Sequence, residues 1–265
     1  MKKTLPRFKG LGVKRANISL GRRGQANDRQ NMGGRKLKKK ILGLLNENPL
    51  ETSLEKICQF PPRQAVNPLF SFFYHSEELV KWRAVTAMGA VVARLAQEDM
   101  ESARIVMRRL MWHLNDESGG IGWGAPEAMG EIMARHEKLA EEYACILVSY
   151  INQSGNFIEH EMLQRGVLWG LGRLAYVRPE LVANAVDFLL PFIHSNDAVH
   201  RGFAAWVSGA LSSEFTTPLL QNLVSDEAKI KIFINMNLVE STVGKLAQEA
   251  LSRTTRISPD QGRPE

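Results

Sequence analysis

The side chains best suited to chemistry are two tryptophans and two arginines that recur at one spacing. Trp82, Trp123, Arg165 and Arg201 follow one another at steps of 41, 42 and 36 residues. Thr86, Glu127, Trp169 and Ala205 lie one helical turn further on. Indole faces stack on planar or cationic groups, and a guanidinium clamps a carboxylate or phosphate through paired hydrogen bonds. Tryptophan and arginine are also enriched at the energetic centres of binding surfaces. Trp82, Trp123, Glu127, Arg165, Trp169 and Arg201 therefore form a candidate ligand- or partner-binding stripe. The competing role is structural: tryptophans wedged between helices, arginines paired with turn acids such as Glu77 or Asp116.

A second chemistry is electrostatic. Residues 1–40 contain 14 Lys or Arg against one acid, Asp28. That is +13 of a net +6, so residues 41–265 carry −7. A basic arm precedes a mildly acidic body. Residues 1–34 hold few large apolar side chains, too few to offset the entropy of ordering, and read as disordered. Lys14, Arg15, Arg22, Arg23, Lys38, Lys39 and Lys40 are the candidate polyanion-binding residues; a merely solubilising tail is the alternative.

Ser118 to Glu127 reads SGGIGWGAPE, with four glycines. A glycine loop entering a helix can cradle phosphate. This one lacks the lysine and hydroxyl of a P-loop and follows no strand. It is read as a tight turn letting two helices approach, with an anion loop beside Trp123 as the alternative. No His-x-x-x-His pair and no convincing nucleophile–His–acid set occurs, so no catalytic residue, metal ligand or cofactor is assigned. Cys58 and Cys145 fit no metal spacing and are expected to be buried thiols in a reducing cytosol.

The elements that must position the stripe show a matching recurrence. VKWRAVTAMGAV from Val80, IGWGAPEAMGEI from Ile121, LQRGVLWGLGRL from Leu163 and VHRGFAAWVSGA from Val199 align with Gly89, Gly130, Gly172 and Ser208 in register. Each carries an apolar face at i, i+3, i+4, i+7 and i+8, as in Ala84, Ala87, Met88, Val91 and Val92. Preceding helices are expected near Val66–Tyr74, Ser102–Leu114, Glu141–Ile151 and Glu180–Ile193, joined by polar turns. A period in this range marks stacked helical repeats. KLKKKILGLLNE and LETSLEKICQF supply an N-terminal cap closed by Pro61 and Pro62. In KIKIFINMNLVEST, Ile230, Ile232 and Ile234 alternate with Lys229, Lys231 and Phe233, which predicts a short hairpin in preference to continued helix. Such a hairpin is marginal alone and must pack on the last repeat. A final helix capped by Ser241 is expected to about Leu251.

These motifs resemble the HEAT repeats of the short bacterial kind, the phycobilin-lyase-type HEAT-like repeats. The family's turn acid or Asn, Val-Arg and late Ala-Leu-Gly have counterparts in Val80-Lys81-Trp82-Arg83 to Ala87-Met88-Gly89, Ala128-Met129-Gly130, Gly170-Leu171-Gly172 and Val199-His200-Arg201 to Ser208. The resemblance covers about residues 63–213 and implies an all-α, right-handed α-α superhelix of the HEAT/armadillo type, about four helix pairs long. The layout is then an arm (1–34), a helical cap (35–62), repeats (63–213), a C-terminal cap (214–252) and a frayed tail (253–265). One HEAT-repeat hydroxylase family binds iron through His-Glu pairs. Here His160-Glu161 stands near the start of a repeated helix but His136-Glu137 at the other end of one, so no dinuclear centre is expected.

Solenoids offer surfaces more often than reactions. The leading expectation is a non-catalytic scaffold that recognises a protein segment or ligand on its concave face. The alternatives are a nucleic-acid- or ribosome-associated protein acting through its arm, and a lyase-type small-molecule enzyme. No window is apolar enough for a membrane span. A cytoplasmic monomer is expected, with an organellar transit peptide as the other reading of an arm whose first 27 residues contain no acid.

Overall fold

The computed structural model describes residues 33–115, 122–212 and 214–257. Residues 1–32 of the expected arm and 258–265 of the expected frayed tail lie outside them. So do residues 116–121, which include Asp116, Gly119 and Gly120. Helices α1 (Gly34–Asn46), α2 (Leu50–Ile57), α3 (Pro62–Phe72), α4 (Glu78–Glu98), α5 (Met100–Leu114), α6 (Ala125–Arg135), α7 (Glu137–Ser149) and α8 (Glu161–Ala175) come first. A 3-10 segment (Pro179–Phe188), α9 (Leu190–Ile193), α10 (Ala198–Leu211) and α11 (Thr217–Leu223) follow. Strands β1 (Lys229–Ile234) and β2 (Asn237–Thr242) and helix α12 (Val243–Ile257) complete the described elements.

Helices α4, α6, α8, α10 and α12 stack side by side as an inner row, each backed by its preceding element. This is the all-α helical-repeat solenoid expected, carrying one small antiparallel sheet. Its corners are set locally. A single extended residue joins α4 to α5 and α6 to α7: Asp99 in the first case, His136 in the second. Each also caps the helix that follows, Asp99 Oδ1 accepting from the Ser102 N–H at 3.1 Å and His136 Nδ1 from the Leu139 N–H at 3.4 Å. Asp197 does the same for α10 through the Val199 N–H.

The recurring small residue marks where the next inner helix crosses. A Cβ on Gly130 would lie 2.4 Å from the Gly170 Cα, so α6 and α8 touch backbone to backbone. One on Gly172 would lie 2.3 Å from the Trp206 ring of α10. Ser208 is fully buried, its hydroxyl donating to the Ala204 carbonyl, and the neighbouring Gly209 receives Ala250 of α12. Met88, Met129, Leu171 and Val207 are sealed in the core beneath these crossings.

Four expectations need correction. The helix expected over Glu180–Ile193 is a 3-10 run with Val182 out of helical geometry, then a four-residue turn. Pro191 accounts for the end of that run before α9, its ring and missing N–H opposing an α-helical bond to residue 187, whereas the Val182 kink lies beyond its reach. The last helix runs to Ile257, with Thr242 rather than Ser241 accepting from a first-turn N–H, that of Lys245. Cys145 is exposed and Cys58 only partly buried. Finally, Phe233 does not share the exposure of Lys229 and Lys231. It is as buried as Ile230 and Ile232, because both faces of β1 are covered.

Candidate functional site

The hairpin defines the site. Asn235 and Met236 turn the chain with positive φ of 50° and 62°, pairing Lys229 with Thr242 and Ile234 with Asn237. Its isoleucine face meets α10, where Gly202 leaves room for Ile230. Its other face reaches past the last repeat to the start of the array. Phe233 stacks on Trp82 of α4, with rings 5° from parallel and centroids 5.3 Å apart. Trp169 of α8 packs at 4.7 Å from Trp82 and donates its indole N–H to the Phe233 carbonyl at 2.9 Å. Trp206 of α10 lies 6.4 Å beyond, then Tyr176, then Arg253 over the Tyr176 ring. Lys231 reaches Glu78 at 3.8 Å. An aromatic row therefore crosses the inner helices and clasps β1 to them.

The six stripe residues divide accordingly. Trp169 is only 2 % exposed and Glu127 only 7 %, so neither stands on an open surface. Trp82 is partly buried beneath Phe233. Trp123 is half-buried, with the Lys81 ammonium 4.6 Å above its ring. Both arginines pair with turn acids, Asp197 and Asp226 rather than Glu77, while Asp116 lies outside the described residues. Arg165 reaches forward to Asp197, the cap of α10, at 2.6 Å. Arg201 reaches Asp226 at 2.8 Å and also donates to the Ser195 and Asn196 carbonyls. Each guanidinium thus fastens one repeat to the next turn. Burial alone would raise the Asp197 and Asp226 carboxyls. The arginine and backbone N–H donors outweigh it and hold both below the usual range.

Two carboxylates of α6 are sealed between inner helices. Glu131 lies across Gly89 and accepts from Arg135 at 2.7 Å and Arg173 at 2.5 Å. Burial opposes its charge, but the two guanidinium groups win and its pKa stays low. Glu127 differs. It occupies the first turn of α6, against the space left by Gly166, and its Oε2 has no hydrogen-bond partner. Burial raises its pKa, and the charge of Lys81 offsets this only in part.

Gly122 and Gly124 make the tight-turn reading physical. A Cβ on Gly122 would lie 2.5 Å from the His113 carbonyl oxygen, and Gly124, at φ +76°, packs against the Phe73 ring. The first turn of α6 is occupied by the buried Glu127 side chain. His136 is spent as a cap, and His160 precedes α8. Among the described residues no group of three His, Cys, Asp or Glu side chains could hold a metal ion. No helix among them is long and apolar enough to cross a membrane. Of the polyanion candidates, Lys38, Lys39 and Lys40 are exposed on α1, whereas Lys14, Arg15, Arg22 and Arg23 lie outside the described residues.

The stripe omitted Phe233, Trp206, Lys231 and Lys81. Phe233 carried a usable signal, since an aromatic on the nominally polar face of a Lys-x-Lys-x-Phe strand requires cover on both sides.

No family model matches the chain. A protein of Archaeoglobus fulgidus, described as uncharacterized, is 26% identical over 182 residues, spanning 68% of this chain and 92% of that one. The archaeal HEAT-like repeats protein from Thermococcus onnurineus aligns at 14% identity and TM-score 0.40, over 88% of this chain and 84% of that one. A designed armadillo repeat protein in complex with the peptide (KR)4 aligns at 18% identity and TM-score 0.46, over 83% and 99%.

Proposed function

We propose that the chain is a non-catalytic scaffold whose inner face holds an extended protein segment along the stripe of Trp82, Trp123, Arg165, Trp169 and Arg201, with Glu127 sealed behind it. One observation carries this reading: the face already holds such a segment, its own β1. The Trp82 stack, the Trp169 indole-to-carbonyl bond and the Glu78 ion pair are contacts that peptide grooves use, main-chain recognition combined with side-chain pockets. The half-buried Trp123 and Arg165 extend the face beyond the hairpin, where a second segment would meet them.

The test uses a synthetic peptide of residues 229–242, offered in trans. Phe233→Ala loosens the internal strand, so the peptide should bind this variant saturably and bind the unaltered chain far less. Adding Trp82→Ala should abolish that binding. Failure of the peptide to bind the folded Phe233→Ala chain would refute a groove for extended segments.

A further inference from the structure

We propose that the outward face of α1 is a docking site for the phosphate backbone of nucleic acid, separate from the inner face. Arg35, Lys36, Lys38, Lys39 and Lys40 are all exposed, while Leu37, Ile41, Leu44 and Leu45 are buried. None of the five cations forms an ion pair among the described residues. Their arrangement is adverse for an isolated helix. Arg35–Lys38, Arg35–Lys39, Lys36–Lys39 and Lys36–Lys40 are like charges at i,i+3 and i,i+4. They also crowd the positive end of the helix dipole, where the first turn holds no acid and Gly33 offers no capping side chain. A bound polyanion relieves both penalties.

The geometry fits a phosphate chain. From Arg35 to Lys40 the helix rises about 7.5 Å, a length over which duplex DNA presents about four charges. Lys38 and Lys40 are steadied over the Phe72 and Phe60 rings, at 5.5 and 5.4 Å, and so are partly ordered before binding. Nine further Lys and Arg precede α1 in the sequence, and the −7 of residues 41–265 disfavours polyanions elsewhere on average. A lipid surface fits less well. A membrane-seeking helix must offer an apolar face, and that of α1 is committed to the core.

The test is a salt titration of the full chain with a short DNA duplex, a single-stranded RNA and vesicles containing anionic lipid. Arg35→Gln/Lys36→Gln/Lys39→Gln removes three exposed charges and spares the ring-seated lysines. A second variant, Lys14→Gln/Arg15→Gln/Arg22→Gln/Arg23→Gln, changes only the preceding segment. Three lost phosphate contacts should flatten the duplex log–log slope by about 2.7. Between about 50 and 200 mM salt the unaltered chain then loses about 40-fold more affinity than the α1 variant. The melting temperature of that variant should stay level or rise as repulsion is relieved. An unchanged slope in the α1 variant, loss of binding confined to the second variant, or binding to vesicles but to neither nucleic acid would each overturn the proposal.

Discussion

Placing the same methyl group at two helical glycines should move stability in opposite directions. At Gly130 the new Cβ meets the Gly170 Cα, O and C at 2.4, 2.5 and 2.7 Å. Carbon atoms in comfortable contact stand about 3.5–4.0 Å apart, so α6 and α8 must separate by more than ~1 Å. Every clashing atom is backbone, so no rotamer change can relieve it. Overpacking of this kind costs about 1–3 kcal/mol, with the upper end apt here. The intrinsic gain of alanine over glycine in a helix returns about 1 kcal/mol, leaving Gly130→Ala about 2 kcal/mol less stable. Gly43 in α1 has nothing within 4 Å of its hypothetical Cβ, so Gly43→Ala should keep the propensity gain of about 0.5–1 kcal/mol. For a chain of this size each kcal/mol shifts the melting temperature by about 2–4 °C. Thermal denaturation followed by circular dichroism should therefore show Gly130→Ala about 4–8 °C down and Gly43→Ala about 1–4 °C up. A Gly130→Ala melt at or above that of the unaltered chain would refute the backbone-contact account of the repeat's small residue.

Removal of the Trp169 side chain leaves a large cavity and orphans the Phe233 carbonyl, so Trp169→Ala should cost about 3–5 kcal/mol in urea unfolding; a loss under ~1 kcal/mol would show that the indole is not a keystone of the core. Glu127 holds its proton to a higher pH when folded than when unfolded, so the folded state is favoured in acid and loses that advantage as pH climbs from the ordinary 4.5 through the raised folded value. Glu127→Gln should therefore raise the melting temperature more at pH 7 than at pH 4, and an equal effect at both would dismiss burial of the charge as the cause.

What was legible in the sequence is what adjacent residues decide. The apolar phase of Ala84, Met88 and Val91 fixes which side of α4 faces the core, and the equivalent phase recurs in α6, α8 and α10. Gly130 and Gly172 betray the crossings because no other residue fits there. The break before α9 is hard to read because Pro191 acts backward, on the bond to residue 187, and no local residue type announces the kink at Val182. The stripe was misjudged in its exposure for a related reason. Trp82 and Trp169 lie at the right helical positions, but their cover comes from Phe233, 151 and 64 positions away. No periodicity encodes a contact between one repeat and a strand after the last. The arginines followed the same logic at shorter range, since turn acids are visible in the sequence but the choice of Asp197 over Glu77 depends on how successive repeats are stacked.

The clasp between Phe233 and Trp82 also bears on how the chain comes together and falls apart. A solenoid whose repeats touch only neighbours can nucleate anywhere and unravel from its ends. Here the strand behind the fourth repeat packs against the first, so fraying the C-terminal elements uncovers the indoles of α4 and α8 as well. Unfolding should therefore proceed as a single event, with both ends of the array lost together. Closing a loop of that length carries an entropic cost before any contact rewards it. The Phe233–Trp82 contact can therefore form only after most of the chain has been synthesised.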